Sequence, residues 1–367
     1  MESSLNLESF SAGWLAPSNR QIMIAGPCSA ESEEQLLQTA AALSSSYVNL
    51  FRAGIWKPRT RPGAFQGLGS KALPWLIKVK EKFGIPVTTE VANEKHVYEA
   101  LKYGIDVLWI GARTTANPFA VEEIARALKG KNIPVMVKNP VNPDLKLWIG
   151  ALERLNNEGI TRLAAIHRGF SIFGNSEYRN PPQWEIPLKL KEMFPSLPVI
   201  SDPSHISGNR NFIKPLMKKA MEFSFDGMMV EVHPEPGKAW SDAAQQLTPG
   251  DYLANLEKTG WSYSGEAGWS LDLLRHEIDM LDDEILQLFS RRMKISGQIG
   301  SYKMQKKLSI FQKNRWRQLL EERIRAGEKK GLTKEFIMRI FDSLHHESVN
   351  RQKILTNDCS EEMLQKH

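Results

Sequence analysis

Residues 84–111, GIPVTTEVANEKHVYEALKYGIDVLWIG, decide the fold. Two short apolar runs, 86–91 (PVTTEV) and 106–111 (DVLWIG), flank a segment of helical length. The "GIP" before the first run is the punctuation expected where a helix ends and a strand begins. Outward from this unit the pattern recurs at intervals of roughly 20 to 35 residues. Further strands are read at 22–26 (IMIAG), 48–53 (VNLFRA), 134–139 (PVMVKN), 163–168 (LAAIHR), 198–202 (PVISD) and 226–232 (DGMMVEV). The runs are nearly continuous in apolar residues, as a parallel sheet covered on both faces requires. Eight βα units in succession predict an α/β fold of the (β/α)8 TIM-barrel type rather than an open doubly wound sheet.

At 367 residues the chain is longer than one average domain. Apolar content of 41% and charge of 25% are those of a globular protein. No apolar run approaches the ~20 residues that span a bilayer. The N-terminus, MESSLNLESFSAGW, lacks the basic-then-apolar pattern of a signal peptide. Two cysteines, Cys28 and Cys359, make no disulfide framework, so a cytoplasmic location with no membrane partner is expected. The net charge of +6 is concentrated between Leu271 and Leu355, where 18 Lys and Arg face 12 Asp and Glu. Ile285 to Leu320 holds nine basic residues and no acidic one, the mark of a solvated face or an anion site. No aromatic stacking platform accompanies it, so no nucleic-acid partner is expected.

A barrel gathers its site at the carboxyl ends of its strands. Those ends carry Cys28, Arg52, Glu90, Arg113, Lys138, Arg168, Asp202 and Glu231. A full ring of metal-capable or anion-capable side chains is hard to explain as solvated loops. RAGIWKPRTRPGAFQGLG adds Lys57, Arg59 and Arg61 to Arg52 within ten residues. Convergent cations on separate strands imply a substrate with several negative groups, such as phosphate plus carboxylate. Cys28, Glu231 and Asp242, with either His205 or His233, make a candidate metal set of mixed softness, suited to Mn, Fe, Co or Zn.

GPCSAES, FRAGIWKPRT, GARTT, KNP, HRG, SDPSH and VEVHPEPGKAWSD, in that order, resemble the type I synthases of 3-deoxy-D-arabino-heptulosonate 7-phosphate (DAHP) across roughly residues 20–260. The likeness is to the shorter branch, related to the synthases of 3-deoxy-octulosonate 8-phosphate (KDO8P). The KPRT at 57–60 favours DAHP over KDO8P synthesis. The resemblance implies condensation of phosphoenolpyruvate with erythrose 4-phosphate, assisted by a divalent metal, Mn first. It implies phosphoenolpyruvate binding by Arg52, Lys57, Arg113, Lys138 and Arg168, and erythrose 4-phosphate binding by Lys57, Pro58, Arg59, Thr60 and Asp202. The metal ligands implied are Cys28, His205, Glu231 and Asp242; the candidates for activating the attacking water are Lys138 and His205.

After 261–270 (WSYSGEAGWS) the sequence turns helical. Leu274, Ile278, Leu281, Ile285, Leu288, Arg292, Ile295, Ile299 and Tyr302 follow at steps of three and four, a seam over more than four heptads. Two shorter amphipathic helices are expected near 312–330 and 333–356. So long a seam cannot be covered by its own short partners, and an intertwined helical homodimer is the natural solution. Arg292 interrupts the seam with a charge and asks for an anion, or else sets the register. Arg275 lies about 42 Å from Lys303 along a straight helix, so the two could serve one ligand only from different subunits.

This tail resembles the all-helical chorismate mutases of the AroQ class over about 270–355, in LLRHEIDMLDDEILQLFSRR and in ESVNRQ at 347–352. The resemblance implies an all-α three-helix domain and a chorismate site of Arg275 from the partner chain, Arg292, Lys303, Arg315, Ser348 and Gln352. Lys303 and Gln352 would face the breaking ether bond. Two positions depart from the pattern, Trp316 and Gln312, where many members carry acids. The expected division is a barrel at 1–260, a linker at 261–269, a mutase at 270–358 and a tail at 359–367. The alternatives are a KDO8P-synthase-like barrel, and a non-catalytic tail that senses chorismate or prephenate. A fused tail further suggests that its ligand, prephenate foremost, regulates the barrel.

Overall fold

The computed structural model describes residues 5–8, 21–44, 48–58, 63–174, 176–259, 271–306, 308–309 and 312–364. Of residues 258, 271–277, 279–281, 283–284, 313 and 353–364 it describes the backbone alone. The chain divides into two compact units between Ala267 and Gly268.

In the first unit eight parallel strands close into a barrel in sequence order. They are β1 (Ile22–Gly26), β2 (Leu50–Arg52), β3 (Val87–Val91), β4 (Val107–Ile110), β5 (Val135–Lys138), β6 (Leu163–His167), β7 (Val199–Ser201) and β8 (Gly227–Glu231). All eight expected strands are present, most of them trimmed by a residue or two. The trimmed residues still bond the neighbouring strand at the ends of the ladder, as the carbonyls of Pro86, Pro134 and Pro198 do by accepting from Phe51, Leu108 and Ala165 N. Ring closure pairs Gly26 of β1 with Glu231 of β8, which brings the first and last strand ends together.

Side chains two apart on a strand point the same way, and the inward set fills the barrel: Ile22 and Ile24, Val107 and Trp109, Ala164 and Ile166, with Leu50, Met136, Ile200 and Met229. Each large aliphatic buried here contributes roughly 1.5–3 kcal/mol. Outer helices start where the sequence supplies caps. Asn93 accepts from His96 N ahead of Glu94–Tyr103, and Asp144 accepts from Leu147 N ahead of Leu145–Asn157. Gly26, at φ +146°, is fixed by contact as well as conformation, because a Cβ there would land on the Arg52 carbonyl oxygen. The tight β1–β2 approach holds Arg52 at the mouth.

The second unit is three helices: Leu271–Gln305, Lys313–Glu328 and Lys334–Leu364. The third continues to Leu364, past the end of its amphipathic pattern near 356. The residues beyond, NDCSEEML, contain neither Gly nor Pro, so nothing in them stops the helix. The first and third helices pack through Met293, Ser296, Ser348 and Gln352, all buried. Gly300 permits this closeness, since a Cβ there would press on the Gln352 side chain. The expected apolar seam lies elsewhere on the first helix. Ile278, Ile285, Leu288, Ile295, Ile299 and Tyr302 are 43–62% exposed within the single chain.

Candidate active sites

The barrel mouth is built from strand ends. Arg52, closing β2, is 2% exposed. Its Nη2 lies 3.1 Å from Glu231 Oε1, and its guanidinium sits 5.0 Å above the Trp109 ring. Its Nε and Nη1 are buried without a hydrogen-bond partner. Leaving two guanidinium donors unsatisfied in a protein interior is costly, so they mark a place prepared for an anion. Lys138, closing β5, reaches Asp202 Oδ2 at 2.7 Å and lies 5.8 Å from the same indole. Arg168 follows β6, and its backbone N donates to Asn139 Oδ1 at 2.7 Å. Burial, then the charges of Arg179 and Arg113, push Arg168 down to about 10. Asp202 and Asp242 offset part of that repulsion, and a negative ligand would offset the rest. Arg113 sits on the short helix Ala112–Thr115 after β4 and is exposed.

The four expected metal donors lie on the same side of the mouth. The Cys28 thiol donates to Asp242 Oδ2 at 3.2 Å, and Lys57 Nζ donates to Cys28 Sγ at 2.7 Å. His205 Nε2 is 3.7 Å from Glu231 Oε1, an oxygen that accepts no well-formed hydrogen bond. His233 turns away, its Nε2 3.5 Å from Glu31. Burial, with Glu231 beside it, pushes the Cys28 thiol up to about 12. A thiol and two carboxylates crowded in a dry space fit a divalent cation, which would neutralise them. Among the described residues no three such donors already form a closed coordination set; they stand two and two.

Asp202 is fully buried and serves its neighbours. Its carboxylate caps the helix Pro203–Ser207 through His205 N and lies 2.8 Å from His205 Nδ1. Burial would raise its pKa, but His205 and Lys138 hold it well below the usual carboxylate range. One carboxylate thus orients both the expected ligand His205 and the cation Lys138.

Two tandem polar pairs hold the donor set from outside. Arg179 Nη1 donates to Asp242 Oδ1 and to Gln245 Oε1, both at 2.9 Å. Asn180 Nδ2 donates to the His205 carbonyl at 2.6 Å. Gln245 Nε2 donates to Glu231 Oε2 at 2.7 Å, and Cys28 N donates to Gln246 Oε1 at 3.0 Å. Each of the four donors therefore receives one contact from RN at 179–180 or QQ at 245–246. Sequence reading missed both pairs, and it missed Trp109. Their signal, adjacent long polar residues in loops between strand ends, is weak without the fold.

Lys57 and Pro58 lie within the description; Arg59 and Thr60 lie outside the described residues.

In the helical unit the structure joins residues from the first and third helices. Arg292 Nη1 donates to Ser348 Oγ at 2.6 Å and to the Leu344 carbonyl at 3.0 Å. Gln352 Nε2 donates to Ser296 Oγ at 3.0 Å, and Lys303 Nζ is 3.5 Å from Gln352 Oε1. Burial lowers the pKa of both Arg292 and Lys303. Arg315 is not drawn into this group; it is exposed and donates to Gln318 on its own helix at 3.4 Å. Trp316, one of the two departures from the family pattern, stacks on His345 with centroids 4.0 Å apart and 14° between planes. The Arg275 side chain lies outside the description.

Comparison with known proteins agrees with both halves. A family model described as the DAHP synthetase I family matches residues 12–267, and one described as chorismate mutase type II matches 274–353. A phospho-2-dehydro-3-deoxyheptonate aldolase of Thermotoga maritima is 37% identical over 225 residues, covering 61% of this chain and 64% of that protein. The chain thus spans slightly less than two thirds of that relative's length. A 2-dehydro-3-deoxyphosphooctonate aldolase of Desulfotalea psychrophila is 30% identical over 247 residues, covering 62% and 84%. The crystal structure of the Thermotoga maritima enzyme superposes with a TM-score of 0.60 at 32% identity, covering 66% of this chain and 68% of that one. The chain belongs to the DAHP synthetase I family, with a chorismate mutase type II unit following its barrel.

Proposed function

We propose that the barrel condenses phosphoenolpyruvate with erythrose 4-phosphate to DAHP and phosphate, and that the helical unit rearranges chorismate to prephenate. One observation carries the first reading: the buried Arg52 keeps two guanidinium donors unspent at a mouth shared with Lys138 and Arg168. Arg52, Arg113, Lys138 and Arg168 hold the phosphate and carboxylate of phosphoenolpyruvate, and Lys57 and Pro58 begin the loop that receives the aldose phosphate. Cys28, His205, Glu231 and Asp242 would hold a divalent metal, for which the thiol and imidazole favour Mn, Fe, Co or Zn, Mn first. Such a metal supplies Lewis acidity toward the aldehyde oxygen.

The chain's own residues do the rest. Aligned cations hold C3 of phosphoenolpyruvate against the aldehyde carbon, so that little entropy is lost at the moment of reaction. Water adds at C2, and Arg168 and Arg52 stabilise the departing phosphate as the C–O bond breaks. Asp202 sets Lys138 Nζ beside that space, where it handles the proton of the attacking water, and holds His205 Nδ1 so that Nε2 faces the other metal donors. DAHP synthesis is favoured over KDO8P synthesis by KPRT. Turnover with erythrose 4-phosphate but not arabinose 5-phosphate, abolished by a chelator and restored by Mn²⁺, is the expected outcome. The reverse preference would sink this reading.

For the helical unit the carrying observation is Arg292, Ser348, Gln352 and Lys303 joined in one hydrogen-bonded group. They would bind a dicarboxylate and restrain it, with Lys303 and Gln352 at the ether oxygen and Arg315 closing on the ligand. Arg275 would come from a second copy, docked along the exposed seam as a homodimer. Chorismate consumption abolished by Arg292→Ala is the test, and no turnover by folded wild-type protein would leave a sensing module. We further propose that prephenate bound there lowers synthase activity; unchanged synthase kinetics at saturating prephenate would remove that link. A cytoplasmic setting suits these substrates, and no helix among the described residues is long and apolar enough to cross a membrane.

A further inference from the structure

We infer that His345 is a ligand-contacting group of the helical site and takes up a proton as a dicarboxylate settles between Arg292 and Lys303, an inference that rests on the mutase reading above. His345, Ser348 and Gln352 stand at i, i+3 and i+7 on the third helix and so share one face. That face is the one Arg292, Ser296 and Lys303 of the first helix address. Trp316 of the second helix covers the imidazole from its flat side. A ring clamped by its face can offer its nitrogens only along its edge. All three helices therefore contribute to one constellation, and the imidazole belongs to it by position.

The charges around the ring explain what a ligand would change. Burial first, then His346, Arg292 and Lys303, lower the pKa of His345, and only Asp342 opposes them. The second helix presents the uncharged indole, while neighbouring Arg315 turns to Gln318. The ring is thus neutral in the free protein near pH 7. Two carboxylates placed between Arg292 and Lys303 neutralise the cations that repel the ring's proton and add attraction of their own. The ring's affinity for a proton rises, and by linkage the ligand binds more tightly to the protonated form. Affinity is then greatest at low pH, and falls as pH rises between the free and ligand-bound pKa, by up to about tenfold per pH unit. A histidine that merely packs against Trp316 would show none of this.

The test is calorimetric titration of the full-length protein with prephenate at pH 7 in two buffers of different ionisation heat. We expect uptake of roughly half a proton or more per site, and affinity about three- to tenfold tighter at pH 6 than at pH 8. His345→Gln should still bind prephenate but lose the uptake, while His346→Gln should retain it. Binding without buffer dependence in the wild type, or uptake that persists in His345→Gln, would overturn the inference. Absence of any prephenate binding by protein whose synthase works would instead remove the mutase reading, and this inference with it.

Discussion

The barrel mouth and the helical site both gather cations, but they hold them by opposite means. In the barrel, acids fix the cations: the buried Glu231 and Asp202 hold Arg52 and Lys138, and the half-buried Asp242 holds Arg179. Such pairs cost desolvation, yet they lock long side chains before any substrate arrives. In the helical unit Arg292 rests on a carbonyl and a hydroxyl, which orient it without neutralising it. One site is organised by its own charges and the other by neutral groups that leave charge for the ligand. The difference predicts where each will fail.

The largest effects come from removing a cation that no acid holds. Arg168→Ala should lower synthase kcat/KM on the order of 10²–10³-fold, while thermal stability holds or rises, because burying the guanidinium beside Arg179 and Arg113 costs more than Asp202 and Asp242 return. Arg292→Ala should lower mutase turnover by a similar factor. Each should spare the other activity. Loss of stability in Arg168→Ala, by thermal unfolding, would show that this arginine is structural after all.

Next is the seam. Leu288→Asp places a charge on an exposed apolar position of the first helix, 62% exposed in the single chain. Sedimentation should show dissociation, and mutase activity should fall on the order of tenfold or more as the partner's Arg275 is lost. Synthase activity should persist. A dimer unaffected by the substitution would mean that the seam is not its interface.

A smaller effect sharpens the account of the barrel. Arg179→Ala removes a contact to Asp242 and Gln245 while leaving all four metal donors in the sequence. Metal affinity, measured by competition with a chelating dye, should weaken by roughly 10- to 100-fold. Arg179→Lys, which keeps charge but not the fork, should recover part of it. Unchanged affinity would reduce Arg179 to a surface ion pair.

These cases also show what was legible in the sequence. Strand ends were, because an apolar run ending in Cys28, Arg52, Lys138 or Glu231 announces both the strand and the mouth. The residues that hold those side chains were not. Arg179 meets Asp242 from 63 positions away, and Gln246 meets Cys28 from 218. Loops carry no periodicity, so only the closed ring brings such partners together. Trp109 reads as core from its strand and is core, yet its upper face also supports Arg52 and Lys138. In the tail the 3–4 pattern revealed the seam but not the second stripe, Met293, Ser296 and Gly300, by which the helix meets its own third helix. Beyond Met293 that stripe is Ser296 and Gly300, small and not apolar, and hydrophobic periodicity does not register it. Trp316 was visible as a departure from its family, but its partner His345 was not.

The smallest effect concerns a histidine that the barrel keeps neutral. His167 closes β6, and its Nε2 donates to the Pro182 carbonyl at 2.6 Å, among Trp184, Phe170 and Phe225. Burial, with Arg168 adding repulsion, pushes it down to about 3, while an unfolded chain leaves histidine near 6.5. Because the folded value is the lower one, its contribution is complete above about pH 6.5. It is lost as pH falls toward 3, at roughly 1.4 kcal/mol per pH unit. The ring ties the loop bearing Arg179 and Asn180 to the strand end bearing Arg168; a protonated ring still donates to Pro182, but its buried charge should loosen the contacts behind the metal donors before acid reaches the strands. His167→Gln retains a donor for the Pro182 carbonyl but cannot be protonated. Chemical denaturation between pH 4 and pH 6.5 should show a slope shallower by about one proton than the wild type. Parallel slopes would place the acid sensitivity of the barrel in its ion pairs, where Asp202 and Glu231 keep their charge when folded and take up protons only on unfolding, and not in this imidazole.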